Sequence, residues 1–71
     1  MTTAVRVWRL RKNSTWLDAR IEDGGESGVE LQFFRDNTRI SSRQWPSREQ
    51  ALADADRQLR DLQLAGWNTH W

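Results

Sequence analysis

The segment from Ser47 to Trp67 constrains the fold more than any other, because it carries a long helical pattern with signals at both ends. Its apolar residues recur at three- and four-residue steps and form one stripe: Ala51, Leu52, Ala55, Leu59 and Leu62. Ser47 followed by Gln50 is typical of a capped N-terminus, and Gly66 is typical of a left-handed C-terminal cap. The pattern predicts a helix over about residues 47–65, with its stripe packed against a sheet.

The remaining helical positions are mostly charged and predict a solvated face: Asp54, Asp56, Arg57, Arg60 and Asp61. The four-residue spacing predicts ion pairs between Asp56 and Arg60 and between Arg57 and Asp61. Leu64 points away from the apolar stripe. Trp67 follows Gly66, where a Schellman cap would fold its ring back onto Leu62 and close the core.

Four segments before the helix alternate in polarity and predict strands over about residues 4–12, 15–23, 29–35 and 38–43. The turn Asn13-Ser14 sets Leu10 opposite Leu17 and places Trp8 in the core, opposite Ala19.

For the second and third strands, the best side-chain match pairs Leu17 with Phe33 and Ala19 with Leu31. A tight turn at Asp36-Asn37 would then place Phe33 opposite Ile40 and Phe34 opposite Arg39. The fold class expected is α+β, a four-stranded antiparallel β-meander with one C-terminal α-helix on one face, in a single domain over residues 1–71 with a tail at 67–71.

Composition narrows the function classes. The 71 residues carry a net charge of +1 and no cysteine, so a polycationic arm, a disulfide framework and a thiolate metal site are all excluded. A lone His70 near the terminus favours neither catalysis nor a metal site, and we expect no enzyme activity, no cofactor and no small-molecule substrate. Because the chain has no long apolar run, we expect a cytoplasmic protein without membrane contact.

The uncovered face of the expected sheet is the candidate binding face. In the expected register, Arg11, Trp16, Phe34 and Arg39 form one cross-strand row, two aromatic rings between two guanidinium groups. Three further arginines flank this row: Arg9, Arg20 and Arg43.

Two interpretations of this face remain open. A protein contact is favoured, with homodimerisation as one form of it, because Trp, Phe and Arg are enriched in protein interfaces. Nucleic-acid binding is the alternative, because bases stack on aromatic rings and guanidinium groups neutralise phosphates. The carboxylates of Asp18, Glu22 and Glu30 on the same face oppose phosphate binding.

Two further segments carry a family resemblance. The run Trp16 to Arg20 followed by Asp23-Gly24-Gly25, together with Trp45 to Ala51, resembles the small sheet-plus-helix modules at the start of tyrosine recombinases. It is also similar to the related plant AP2-type domain. Those modules lay a three-stranded sheet in the DNA major groove. The resemblance covers about residues 7–59, and it implies that the following residues face DNA: Arg9, Arg11, Trp16, Arg20 and Arg39.

Overall fold

A computed structural model of the protein describes residues 4–24 and 28–69. The elements follow the order β1 (Val5–Lys12), β2 (Thr15–Asp23), β3 (Val29–Arg35), β4 (Thr38–Trp45), α1 (Arg48–Leu64) and β5 (Asn68–Thr69). The strands form one antiparallel sheet in the order β4-β3-β2-β1-β5. The expected α+β meander with one C-terminal helix is therefore confirmed, and β5 is a short fifth strand that the sequence did not predict.

The first hairpin has the expected register. Leu10 pairs with Leu17 and Trp8 with Ala19 across a turn in which Asn13 adopts a positive φ of 57°. Asparagine tolerates this left-handed conformation better than most residues, so the turn sequence fixes the register. The ladder shifts between Arg6 and Trp8, which leaves Val7 as an extra, bulged residue in β1.

The expected register between β2 and β3 is wrong by two residues. Ala19 pairs with Phe33 rather than Leu31, and β2 continues to Asp23, which pairs with Val29. Beyond this pair, the Gly24 amide donates to the Gly28 carbonyl at 2.7 Å. A shift of two residues keeps every side chain on its original face, so the polarity pattern alone could not detect it.

The second hairpin turns at Asp36 and Asn37, both with positive φ, and it places Phe34 opposite Arg39 as expected. The predicted pairing of Phe33 with Ile40 is wrong, because the ladder shifts there and Phe33 lies opposite Ser41. Ile40 is the extra residue of a β-bulge. The bulge reverses the alternation over the rest of β4, which runs on to Trp45.

The core lies between α1 and one face of the sheet. Its buried residues come from four elements: Trp8, Leu10, Ala19, Ile21, Val29, Leu31, Ala51 and Ala55. Trp8 is 2% exposed, and its indole Nε1 donates to the Ala55 carbonyl of the helix at 2.9 Å. The prediction that Trp8 belongs to the core is confirmed.

Both helix ends have the expected caps. The Ser47 side chain accepts from the Gln50 amide at 3.3 Å. At the other end the Trp67 amide donates to Leu62 and the Gly66 amide to Gln63, which is the Schellman pattern. Gly66 has a φ of 102°, and the half-buried Trp67 packs against the core.

The helix is rotated from the expected orientation. Ala51 and Ala55 are fully buried, because small side chains let the helix approach the sheet closely, whereas Leu52 is exposed. The assignment of Asp54 to the solvated face is wrong, since its side chain is buried and pairs with Arg57. That pair replaces the one expected between Arg57 and Asp61.

The ion pair between Asp56 and Arg60 is confirmed, and Leu64 is 89% exposed. His70 and Trp71 lie outside the described residues, as do residues 25–27. Within the described ranges, none of the helical structure combines the length and apolar character needed to cross a membrane.

Candidate binding face of the sheet

The sheet face opposite α1 is called the open face, and it is built from cross-strand rows of side chains, three of which carry its arginines. Cross-strand pairs share a face, so the ladder assigns each residue to a row. The first row holds Arg11 and Trp16. The second holds Arg9, Asp18, Phe34 and Arg39, and the third holds Arg6, Arg20, Gln32 and Ser42.

The single row expected from the sequence is divided in two. Arg11 lies beside Trp16, and Phe34 lies beside Arg39, but Asp18 rather than Trp16 is opposite Phe34. The two-residue shift between β2 and β3 causes this change. Trp16 instead meets the second turn, where its amide donates to Asp36 Oδ1 at 3.0 Å.

Arginine side chains cover both aromatic rings of the open face. The guanidinium carbon of Arg9 lies 3.9 Å from the centre of the Trp16 ring, and that of Arg11 lies 5.0 Å from it. The guanidinium carbon of Arg20 lies 4.1 Å from the centre of the Phe34 ring. Each contact is a cation–π interaction, worth about 0.5–1 kcal/mol at an exposed site. The rings therefore hold the guanidinium groups in place.

A buried carboxylate lies at the centre of the face. Asp18 is only 3% exposed, accepts a hydrogen bond from Arg20 Nε at 2.7 Å, and lies 3.8 Å from Arg6 Nε. Arg6 is not among the residues predicted for this face, because the bulge at Val7 brings an even-numbered residue onto the same face as Arg9 and Arg11. The repeated arginines along β1 were the available signal, but a residue pattern of this kind does not reveal a bulge.

Arg43 does not belong to the open face, and its expected place beside the aromatic row is wrong. The bulge at Ile40 places Arg43 opposite Leu31, a core residue. Its guanidinium carbon lies 4.3 Å from the centre of the Trp45 ring at the edge of the helix side. The open face therefore holds six of the seven predicted binding residues.

Acidic side chains are concentrated at one end of the face. Glu22 and Glu30 are directly paired between β2 and β3, and the Gln32 side chain donates to Glu30. The five arginines of the face, residues 6, 9, 11, 20 and 39, lie in the three rows beyond this end. The open face is thus basic over most of its area and acidic at one end.

The helix side of the molecule has two shallow grooves. One, of about 250 Å³, runs between sheet and helix and is mainly apolar: Trp8, Leu17, Phe33, Ile40, Ser41, Gln58 and Leu62. The other, of about 390 Å³, is lined by Trp45, Gln50, Ala53, Asp54 and Arg57. Trp45 Nε1 is buried and has no hydrogen-bond partner among the described residues.

The side chains described in residues 4–24 and 28–69 include no cluster of three or more His, Cys, Asp or Glu that could hold a metal ion. No protein-family model matches the chain, and no curated protein or solved structure matches it either.

Proposed function

We propose that the protein binds nucleic acid through the open face of its sheet. The observation that carries this proposal is the placement of the Arg9 guanidinium over the Trp16 ring and of the Arg20 guanidinium over the Phe34 ring. A stacked guanidinium is restricted before any ligand arrives, so less side-chain entropy is lost when it donates to a phosphate or a base. Arginine is also the side chain best suited to paired contacts with phosphate oxygens or with guanine.

The distribution of apolar surface supports nucleic acid over a protein partner at this face. The centre of a protein interface is depleted in charged residues. On the open face, however, guanidinium groups lie over both large apolar rings. In the described part of the chain, the exposed large hydrophobic residues lie elsewhere: Val5, Ile40, Leu52 and Leu64.

The carboxylates do not cancel the basic character of the face. Asp18 is already neutralised by Arg20 and Arg6, while Glu22 and Glu30 lie together at one end. A nucleic-acid backbone lying across the rows of Arg9 and Arg11 would avoid that end. This arrangement also fits the resemblance to sheet-plus-helix DNA-binding modules.

The test is a titration with single- and double-stranded oligonucleotides at low salt, followed by backbone NMR shifts. We expect shifts on the open face and an affinity that falls linearly with salt on a log–log scale, as counterions are released. Arg9→Gln should weaken binding and reduce the salt slope by about one. Arg60→Gln is the matched control, because it removes the same charge from the exposed side of α1.

Two results would overturn the proposal. One is the absence of any oligonucleotide-dependent shift at low salt. The other is an equal loss of affinity in Arg9→Gln and Arg60→Gln, since that would mean net charge alone determines binding.

A second candidate function is self-association through the helix side. The apolar groove of about 250 Å³ between α1 and the sheet includes Ile40, a residue that is 57% exposed. Leu64 is exposed near the C-terminal end of the same helix. The groove and Leu64, rather than the open face, therefore support the homodimer expected from the sequence.

A further inference from the structure

Asp18 occupies an unusual place for a carboxylate, because it is buried in the middle of a basic surface. Removing a charged group from water is costly unless the group is paired and hydrogen-bonded. The pairing here is with Arg20, whose Nε donates to Asp18 at 2.7 Å, and more distantly with Arg6. The side chain of Arg20 itself remains 27% exposed.

Arg20 is held from two directions. Its Nε donates to Asp18, and its guanidinium group lies over the Phe34 ring, with 4.1 Å between the guanidinium carbon and the ring centre. Within residues 4–24 and 28–69, no acceptor is hydrogen-bonded to its two terminal nitrogens. These nitrogens form a fork that can donate two parallel hydrogen bonds to one ligand group.

Arg11 is held in a similar way at the other end of the face. Its Nε donates to the Asn13 carbonyl at 3.0 Å, and its guanidinium carbon lies 5.0 Å from the centre of the Trp16 ring. In both arginines the protein therefore binds the inner nitrogen. Only Arg20, however, is oriented by a buried charged partner.

We propose that Asp18 is a positioning residue, which orients Arg20 so that its terminal nitrogens bind a pair of acceptor atoms on the nucleic acid. This inference rests on the proposed function. Phosphodiester oxygens and the O6 and N7 atoms of guanine both present such a pair. A duplex of only A·T pairs, compared with a G·C-containing duplex of equal length, distinguishes these two sources.

The test is whether removing the Asp18 carboxylate lowers or raises the affinity for nucleic acid. If only net charge mattered, removing any carboxylate from the open face would strengthen binding to a polyanion. A positioning role predicts the opposite for Asp18→Asn, a loss of about fivefold or more, which is the lower range for a bidentate arginine contact. Glu22→Gln is the matched control and should leave affinity unchanged or raise it.

A spectroscopic measurement separates positioning from a general structural effect. We expect the Arg20 Nε–Hε group to give a protected NMR signal in the unaltered protein and to lose it in Asp18→Asn. Backbone shifts away from the open face should be retained in both proteins. If Asp18→Asn does not fold, Arg20→Lys replaces it, because lysine keeps the charge but has neither Nε nor the fork.

The possible results are distinguishable. Weaker binding by Asp18→Asn or Arg20→Lys, with Glu22→Gln unchanged or tighter, supports the inference. Equal or tighter binding by Asp18→Asn, or by Arg20→Lys where it is used, overturns this inference while leaving the proposed function intact. Absence of binding by the unaltered protein overturns both.

Discussion

Trp8 connects the sheet to the helix at the scale of a single residue. Its ring fills the centre of the core, and its indole nitrogen donates to the carbonyl of Ala55. Phe33 packs beside it, with ring centres 6.0 Å apart. One side chain therefore supplies apolar burial, a hydrogen bond and an aromatic contact between two elements that are distant in the sequence.

Replacing Trp8 with Phe should lower the free energy of unfolding by about 2 kcal/mol. Roughly half of this is the lost hydrogen bond, and the rest is the cavity left by the smaller ring. Urea denaturation followed by circular dichroism measures the change. Trp67→Phe is the control, because Trp67 is half-buried and no such indole bond is found for it in the described part of the chain. Equal losses in the two variants would contradict the role given to the hydrogen bond.

Two glycines give a matched prediction about backbone strain. Gly28 and Gly66 both have positive φ, but a Cβ at Gly28 would lie 2.2 Å from the Trp45 carbonyl oxygen, whereas at Gly66 the nearest atom is Lys12 Cε at 3.6 Å. Gly66→Ala should therefore cost only about 1–2 kcal/mol, for the left-handed conformation. Gly28→Ala should cost clearly more, since backbone must also move. Equal denaturation midpoints for the two variants would exclude this difference.

At the scale of elements, the C-terminal end of α1 is closed by several contacts. The Schellman hydrogen bonds direct the chain back over the core, and Lys12 Nζ donates to the Ala65 carbonyl at 2.9 Å. A lysine near a helix C-terminus also interacts favourably with the helix dipole. Trp67 then packs on the apolar cluster just before β5.

We expect Trp67→Ala to lower the free energy of unfolding by about 2 kcal/mol. The value is smaller than the roughly 3–5 kcal/mol typical of a fully buried tryptophan, because Trp67 is only half-buried. Thermal and urea denaturation both measure it. A loss below about 0.5 kcal/mol, the range of ordinary surface substitutions, would show that the cap closes without help from the ring.

The hairpins show which strand pairings a sequence can specify. Two-residue turns at Asn13-Ser14 and Asp36-Asn37 fix their nearest pairs, so both were predictable. The longer connection from residue 24 to residue 28 fixes nothing by itself, and the β2–β3 register was missed by two residues. The bulge at Ile40 was also missed, because the residue pattern continues through it without a glycine or proline.

The helix orientation was missed for a different reason. The apolar side chain of Leu52 favoured its place in the buried stripe. Close packing of the helix on the sheet instead buries the smaller Ala51 and leaves Leu52 exposed. Asp54 is buried in this orientation. Burial of a charged side chain is unfavourable, and the ion pair with Arg57 offsets this cost.

Most of the predicted binding residues do lie on one face, because a two-residue shift in register leaves each side chain on the same side of the sheet. Arg43 is the exception, since the bulge at Ile40 turns it to the helix side.

At the scale of the whole molecule, the two sides of the sheet have different chemistry. The open face presents arginines fixed over aromatic rings, and the helix side presents exposed aliphatic groups and an apolar groove. The two proposed activities therefore use separate surfaces. One molecule has room for both at once.

This separation predicts independent effects of mutations on the two sides. Ile40→Ser combined with Leu64→Ser should reduce self-association, measured by sedimentation, because both replace exposed apolar groups with polar ones. Oligonucleotide affinity at matched protein concentration should stay within about twofold of the unaltered protein, well under the tenfold change that corresponds to about 1.4 kcal/mol. Arg9→Gln should show the reverse pattern. A parallel loss of both activities in either variant would contradict the assignment to opposite sides.

The short strand β5 has a consequence for the order in which the protein folds. Among themselves, β1 to β4 pair only as sequence neighbours, so those contacts close short loops, whereas β5 pairs with β1, Thr69 with Leu10, across almost the whole chain. Long-range contacts form late, because the entropy of closing the loop is lost before they stabilise anything. With only two exposed residues, β5 should also open without global unfolding. Its amide protons should therefore exchange with solvent long before those at the centre of β2.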